Sequence, residues 1–250
     1  MIRATLIVLL SSLAALPAMA QQCRDLDHAG NAYTMCEVDA ETADLRLFLR
    51  DETGVPYGHF SAIDQALAAQ GKRLSFAMNA GMYHDDRAPV GYYVEQGAEV
   101  MRVVPGPGPG NFGLVPNGIF CLRDSRADVI ETQAFLQDRP DCTYATQSGP
   151  MLVIDGALHP RFLVDSTSRH VRNGVGTNAD GTRAVFVMSR NPVTFHEFGS
   201  LFRDALNLPS ALYFDGRISR LFAPQLGRND PGFRMGPVVG VVIDANQPAD

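Results

Sequence analysis

Apolar runs in this chain are short, and most of them end on glycine, proline, asparagine or aspartate. Leu74–Met78, Met151–Ile154, Ala184–Met188, Ala211–Phe214 and Val238–Ile243 have the length and apolarity of buried strands. With 23 glycines and 16 prolines in 250 residues, turns are too frequent for a helix bundle. Helical periodicity shows in two places. Residues 59–70 put Phe60, Ile63, Ala66 and Leu67 on one face, with Gly71 as the stop. Residues 195–207 do the same with Phe195, Phe198, Leu201, Phe202, Ala205 and Leu206, and Thr194 with Glu197 fits a capping box at their start. The expected fold class is α+β: a mixed or antiparallel β-sheet core, a few packed helices, and many short strands and hairpins.

The strands can be placed one by one. Tyr33–Val38 and Leu45–Leu49 read as a hairpin over residues 31–50. Two strands follow at 91–95 and 98–104, then a Pro/Gly loop at 105–110, then Phe112–Leu122 and Thr143–Gln147. Asp155-Gly156 signals a hairpin turn, and residues 172–188 form the clearest hairpin, turning on Asn178-Ala179-Asp180-Gly181. Ala211–Phe214 enters the turn Asp215-Gly216, and Ile218–Phe222 leaves it. The tail after Asp244 is expected to fray. No repeat and no polar linker interrupts the chain, so residues 21–250 are expected to be one domain.

Residues 1–20 have the pattern of a secretory signal. Arg3 is a short positive region, Leu6–Leu16 is apolar, and Ala18-Met19-Ala20 is an A-x-A cleavage site. The apolar run is short of the roughly 20 residues that span a bilayer. A periplasmic or secreted location follows, with no membrane span after cleavage. Export places Cys23, Cys36, Cys121 and Cys142 in an oxidising compartment, where an even count suggests two disulfides. Of three possible pairings, Cys23–Cys36 and Cys121–Cys142 are favoured because each is local. No C-x-x-C spacing supports zinc.

A hydrophobic content of 46% excludes general disorder, and a formal charge of −6 gives no footprint for nucleic acid. Lys72 is the single lysine, so the basic side chains are almost all arginine, the residue suited to bidentate phosphate or carboxylate binding. Some familiar motifs fail. Gly108-Pro109-Gly110-Asn111-Phe112-Gly113 spells G-x-G-x-x-G, but a strand-like segment follows where a dinucleotide site needs a helix. It reads as a flexible surface loop. His196-Glu197 begins like a zincin motif, but Ser200 stands where the second histidine is needed. No G-x-S-x-G and no P-loop is present.

What remains is a series of polar residues at strand ends and in loops, where sites usually lie. It comprises Asn79, Asn117, Gln147, Ser148, Arg169, His170, Arg172, Asn173, Asp215, Gly216 and Ser219. Each also has a plain reading: Asn79-Ala80-Gly81 and Asp215-Gly216 as turns, Glu197 as a helix cap. The ordered stretches Asn79-Ala80-Gly81-Met82-Tyr83, Pro116-Asn117-Gly118-Ile119-Phe120, Gln147-Ser148-Gly149-Pro150-Met151-Leu152, Arg172-Asn173-Gly174-Val175-Gly176 and Ala211-Leu212-Tyr213-Phe214-Asp215-Gly216 resemble the phosphodiester glycosidase family. That is the domain of the lysosomal uncovering enzyme, which removes N-acetylglucosamine from phosphodiester-linked sugar. The resemblance runs from about residue 30 to 243. The last stretch, from Val193-Thr194-Phe195-His196-Glu197-Phe198 through Phe222-Ala223-Pro224, looks most like an uncharacterised bacterial branch. Two positions depart from the family pattern: Ala80 stands where glycine is usual, and Asp215-Gly216-Arg217-Ile218-Ser219 replaces D-G-G-G-S. Arg217 bears on the substrate more than on the fold.

The resemblance implies hydrolysis of a sugar-1-phosphodiester at the anomeric carbon, in an envelope or extracellular glycan. Most glycoside hydrolysis uses two carboxylates. A phosphate ester leaves more readily than a sugar alcohol, so arginines that neutralise the phosphate can replace a strong general acid. In this reading Asp215 is the base or nucleophile and Glu197 the second carboxylate. Arg172, with Arg169 and Arg217, binds the phosphate. Asn79 and Gln147 fix sugar hydroxyls; Asn117, Ser148, Asn173, Gly216 and Ser219 complete the binding set, and His170 is a candidate proton shuttle. No cofactor is called for, although Asp215, Asn79 and backbone carbonyls are donors of the kind that hold a divalent cation. The alternative is a non-catalytic envelope module that binds glycan or polymer phosphate in the same pocket, a reading that Arg217 favours.

Overall fold

The computed structural model describes residues 21–247; the expected signal segment 1–20 lies outside them. The fold is α+β. Among the described residues seventeen strands form three sheets, and every pairing among them is antiparallel. The first sheet has seven strands: β1 (Gln21–His28), β2 (Asn31–Asp39), β13 (Arg183–Ser189), β12 (Asn173–Thr177), β14 (Ser210–Tyr213), β10 (Met151–Ile154) and β11 (Ala157–Leu158), in that order. The second runs β16 (Arg228–Asn229), β15 (Leu221–Ala223), β4 (Lys72–Asn79), β17 (Val238–Asp244), β3 (Asp44–Phe48). The third runs β6 (Ala98–Met101), β5 (Tyr93–Glu95), β9 (Tyr144–Ser148), β7 (Gly118–Arg123), β8 (Arg126–Glu131).

The inner faces of the three sheets share one core. Phe186 from β13 lies 5.1 Å from Phe76 of β4 and 5.7 Å from Phe120 of β7, centroid to centroid. Phe120 in turn meets Phe214 at 6.2 Å. Each outer face is covered by a helix. α1 (Phe60–Ala68) buries Phe60, Ile63 and Leu67 on the second sheet. α2 (Thr132–Asp138) buries Phe135 on the third. α3 (Phe195–Ser200), continued by a π-wound turn Leu201–Ala205, buries Phe198, Leu201 and Phe202 on the first. The capping box of Thr194 and Glu197 is formed, so orphan amides at the start of α3 are answered by side chains.

Several local expectations change. The hairpin over 31–50 does not form: β2 pairs with β1 and β13, while β3 pairs with β17. β1 supplies the missing partner, and Cys23 stands directly opposite Cys36 in its register. Both favoured disulfides, Cys23–Cys36 and Cys121–Cys142, are present. The strand expected over Phe112–Leu122 begins only at Gly118. α2 has too few residues to show a period in the sequence; it is held by its N-cap, where Glu131 Oε2 accepts the Gln133 and Ala134 amides. The chain past Asp244 is not frayed as far as Gln247, because the Ala245 amide donates to Gly71 O and Arg73 donates to Gln247 O.

One half-buried carboxyl should make stability depend on pH. Tyr93 Oη donates to Glu95 Oε2 at 2.9 Å. Burial pushes the Glu95 carboxyl up to about 7 from an ordinary value of 4.5, against the pull of the Tyr93 and Leu49 hydrogen bonds. The folded chain thus holds this proton more tightly than the unfolded chain. Its contribution is whole below 4.5 and is lost as pH rises through about 7. Glu95→Gln should therefore flatten the fall in melting temperature between about pH 5 and pH 8. Parallel thermal profiles for variant and wild type would show that Glu95 is not the group responsible.

Candidate functional site

The chain leaves β14 in the first sheet and enters β15 in the second, so Asp215-Gly216 is a crossing between sheets and not the expected hairpin turn. Phe214 anchors the crossing in the shared core, its carbonyl accepting Ser148 Oγ at 2.6 Å and its amide donating to Asn173 O at 3.1 Å. Strand alternation then sends Tyr213 and Asp215 to the other side. Asp215 Oδ1 accepts the Arg217 amide at 2.8 Å, which closes the turn on itself.

Two asparagines from different sheets brace this turn. Asn173 Nδ2 points at Asp215 O (2.7 Å), Ser219 Oγ (2.8 Å) and Ile218 O (3.1 Å), three acceptors sharing two hydrogens. Asn173 Oδ1 accepts from Asn79 Nδ2 at 3.2 Å and from the Asp215 amide at 3.4 Å. Asn79 Oδ1 accepts the Arg220 amide at 3.0 Å. Both side chains are buried, and their polar atoms face protein. Asn79, Asn173, Ser148 and Ser219 therefore hold Asp215 in place, whereas the sequence suggested direct contact with a ligand.

Above this brace lies a cleft of about 500 Å³, lined among others by Tyr83, Asn111, Phe112, His170, Asp215 and Arg217. Asp215 is 9% exposed. Burial pushes its carboxyl above the ordinary value of 3.8, while the amides of Arg217, Ile218 and Gly216 pull it back. Gly216 also lines the cleft, and a Cβ there would overlap the Tyr213 hydroxyl.

The remaining sequence candidates are placed elsewhere. Arg172 is buried behind the cleft, not in it. Its Nε donates to Val193 O at 2.9 Å and its Nη2 to Ser168 O at 3.1 Å, and its guanidinium stacks 3.6 Å over the Phe195 ring. Glu197 is not a cleft carboxylate: its Oε2 accepts the Thr194 amide at 2.8 Å and its Oε1 accepts from Arg169 at 3.0 Å. Partial burial works upward on its pKa, but the Thr194 amide and the Arg169 charge outweigh it and hold the carboxyl below its usual range. Arg169 is committed to that same pair.

Gln147 and Asn117 support the cleft from behind. Gln147 Oε1 accepts the Tyr92 and Val104 amides at 3.0 Å, and its Nε2 donates to Val104 O at 2.8 Å. Asn117 Nδ2 donates to Phe112 O at 2.9 Å, and its Oδ1 accepts from Thr132 at 2.7 Å. They fix the Pro/Gly segment whose residues 109–112 form one wall. The expected flexible loop is thus a structural wall, with Phe112 buried.

Sequence reasoning gave no role to Tyr213, Tyr83, His84, Asn111 or Phe112, all of which line the cleft. Tyr213 was within reach: it ends β14 two residues before Asp215, and extended chain turns alternate residues to the same side. Asn111 and Phe112 come from a distant loop and carried no such signal.

A family model for phosphodiester glycosidases matches residues 72–243. The uncharacterised protein YigE of Escherichia coli (strain K12) is 32% identical over 191 residues, covering 76% of this chain and 73% of its own length. The catalytic domain of zebrafish N-acetylglucosamine-1-phosphodiester alpha-N-acetylglucosaminidase, auto-inhibited by its pro-peptide, superposes with a TM-score of 0.60 at 12% identity, over 90% of this chain and 84% of that one. A hypothetical protein from Synechocystis gives a TM-score of 0.59 at 12% identity, over 89% and 62%. At such identity the two structures speak for the fold alone, and the family model and the bacterial relative speak for descent. The chain belongs to the phosphodiester glycosidase family.

Proposed function

We propose that this protein is an exported hydrolase that cleaves the bond between a sugar's anomeric carbon and a phosphodiester, in a glycan of the envelope or extracellular space. The observation that carries the reading is the composition of the cleft. Among the described residues that line it, Asp215 is the one carboxylate, and Arg217, His84 and His170 stand with it. A glycosidase that must expel a sugar alcohol needs a second carboxyl to protonate the leaving oxygen. A departing phosphate needs its charge answered instead, and arginine does that.

In this mechanism Asp215 faces the anomeric carbon. As base it takes a proton from water while the water oxygen bonds to that carbon. The carbon–oxygen bond to phosphate breaks, and the phosphate leaves with the electron pair. Arg217 lies at the phosphate side. Tyr83, Phe112, Met82 and Val90 give the opposite wall an apolar surface suited to the C–H face of a sugar ring. The two disulfides fit an oxidising compartment.

A binding module without turnover is the second reading, favoured by Arg217, which adds bulk and charge where the family pattern has glycine. One experiment separates the two. Purified protein is incubated with chromogenic sugar-1-phosphodiesters, and release of sugar and phosphomonoester is followed. Turnover is the expected result. Binding of these compounds with no release would leave the module reading in its place.

A further inference from the structure

Tyr213 carries a polar atom that the fold leaves unanswered. Its ring is held edge-on to Phe195 at 4.8 Å, and its strand pairs with β12 opposite Gly174. The hydroxyl is buried and has no hydrogen-bond partner among the described residues. Arg172 and Asn111 approach closely enough to influence its titration, but neither closes a well-formed hydrogen bond to it. A buried hydroxyl is seldom left in that state unless a ligand or water completes it.

The surroundings say which ligand atom fits. The hydroxyl sits against Gly216, in the space that a Cβ there would fill. Arg172 lies behind, 5.6 Å from the Tyr213 ring centroid, and is buried with no ion-pair partner among the described residues. Asn111 reaches in from the facing wall. Burial pushes the phenol up to about 12, with Arg172 opposing and Asp215 adding to the rise, so the hydroxyl keeps its proton at any physiological pH and acts as a donor. A neutral donor, an amide and an uncompensated guanidinium together favour an oxygen that carries negative charge.

We propose that the Tyr213 hydroxyl donates a hydrogen bond to a non-bridging phosphoryl oxygen of the ligand at the floor of this cleft, with Arg172 as a positioning charge behind it that does not touch the ligand. The proposal rests on the reading of the cleft as a phosphodiester site. No proton is transferred: Tyr213 keeps its hydrogen, and the bond it makes steadies the charge of the phosphate. The arrangement also gives Gly216 its reason, since alanine there would occupy the position of the hydroxyl.

The test uses inorganic phosphate as the probe. It is titrated calorimetrically into wild type and Tyr213→Phe, and both proteins are assayed for turnover of a sugar-1-phosphodiester. The variant should bind phosphate roughly 10- to 100-fold more weakly, as expected for losing one hydrogen bond to a charged group. Its melting temperature should be unchanged or raised, because the lost hydroxyl had no partner in the protein. Equal phosphate affinity, absence of phosphate binding by wild type, or a lowered melting temperature would each overturn the proposal. Phosphate binding that depends on Tyr213 without any turnover would remove the hydrolase reading and leave this one standing. Turnover with phosphate binding indifferent to Tyr213 would do the reverse.

Discussion

Asp215→Asn should lower kcat/KM for a sugar-1-phosphodiester by roughly 10²- to 10⁴-fold, the range expected for removing a positioned acid–base group. Binding of a non-hydrolysed analogue should survive, because asparagine keeps an oxygen to accept the Arg217 amide that shapes the turn. The wild-type pH profile adds a second readout. Burial raises the Asp215 pKa above 3.8, so the acid limb of kcat/KM should fall at a higher pH than an exposed aspartate would give. Stability moves the opposite way. A carboxyl whose folded pKa is raised contributes fully below 3.8 and loses that contribution as pH rises through its folded pKa. At neutral pH the ionised Asp215 is thus a burden on the fold, and Asp215→Asn should melt no lower than wild type. Equal activity in the two proteins would end the role given to Asp215. A large drop in melting temperature would mean the carboxylate is structural.

Asn173→Ala should be the more damaging change to the fold. It strips partners from Asn79 Nδ2, the Asp215 amide and the carbonyls of Asp215 and Ile218. Each buried group left unanswered costs about 1–3 kcal/mol, and with partial rescue by water the sum should be about 3–4 kcal/mol. For a domain of this size that corresponds to a fall in melting temperature of roughly 6–16 °C. Activity should be lost even at temperatures where the variant stays folded, because the turn that aims Asp215 is no longer braced. A variant that melts within about 2 °C of wild type would show the brace to be dispensable, since a shift that small corresponds to less than about 1 kcal/mol. Full activity in a clearly destabilised variant would show that the brace serves the fold and not the aim of Asp215.

These two expectations mark what could be read before the fold was known. The place of Asp215 at the end of a short apolar strand was legible, because Ala211–Phe214 runs into D-G and the ordered motifs around it resemble a family. The capping box of Thr194 and Glu197 and the two local disulfides were legible for a related reason: their partners are near in sequence. The roles of Asn79, Gln147, Arg172 and Asn173 were not. A buried polar side chain looks the same in sequence whether its partner is a ligand or a distant backbone group. Asn79 finds Asn173 across 94 positions, and Gln147 finds Tyr92 across 55. Glu197 lies outside the cleft lining, where a cap and an arginine already hold it.

The sequence by itself determined the alternation that puts Tyr213 and Asp215 on one side and Phe214 on the other. It also determined the strand-rich class, the apolar faces of α1 and α3 and the cysteine pairs, since each depends on a short period or a short loop. Only the tertiary structure decided that the Asp215 turn bridges two sheets, that a loop from residues 109–112 closes the cleft, and that Arg172 stands behind Tyr213. Those facts depend on which sheet faces meet around Phe186, and that choice is made by packing across the whole core, where no local pattern records it.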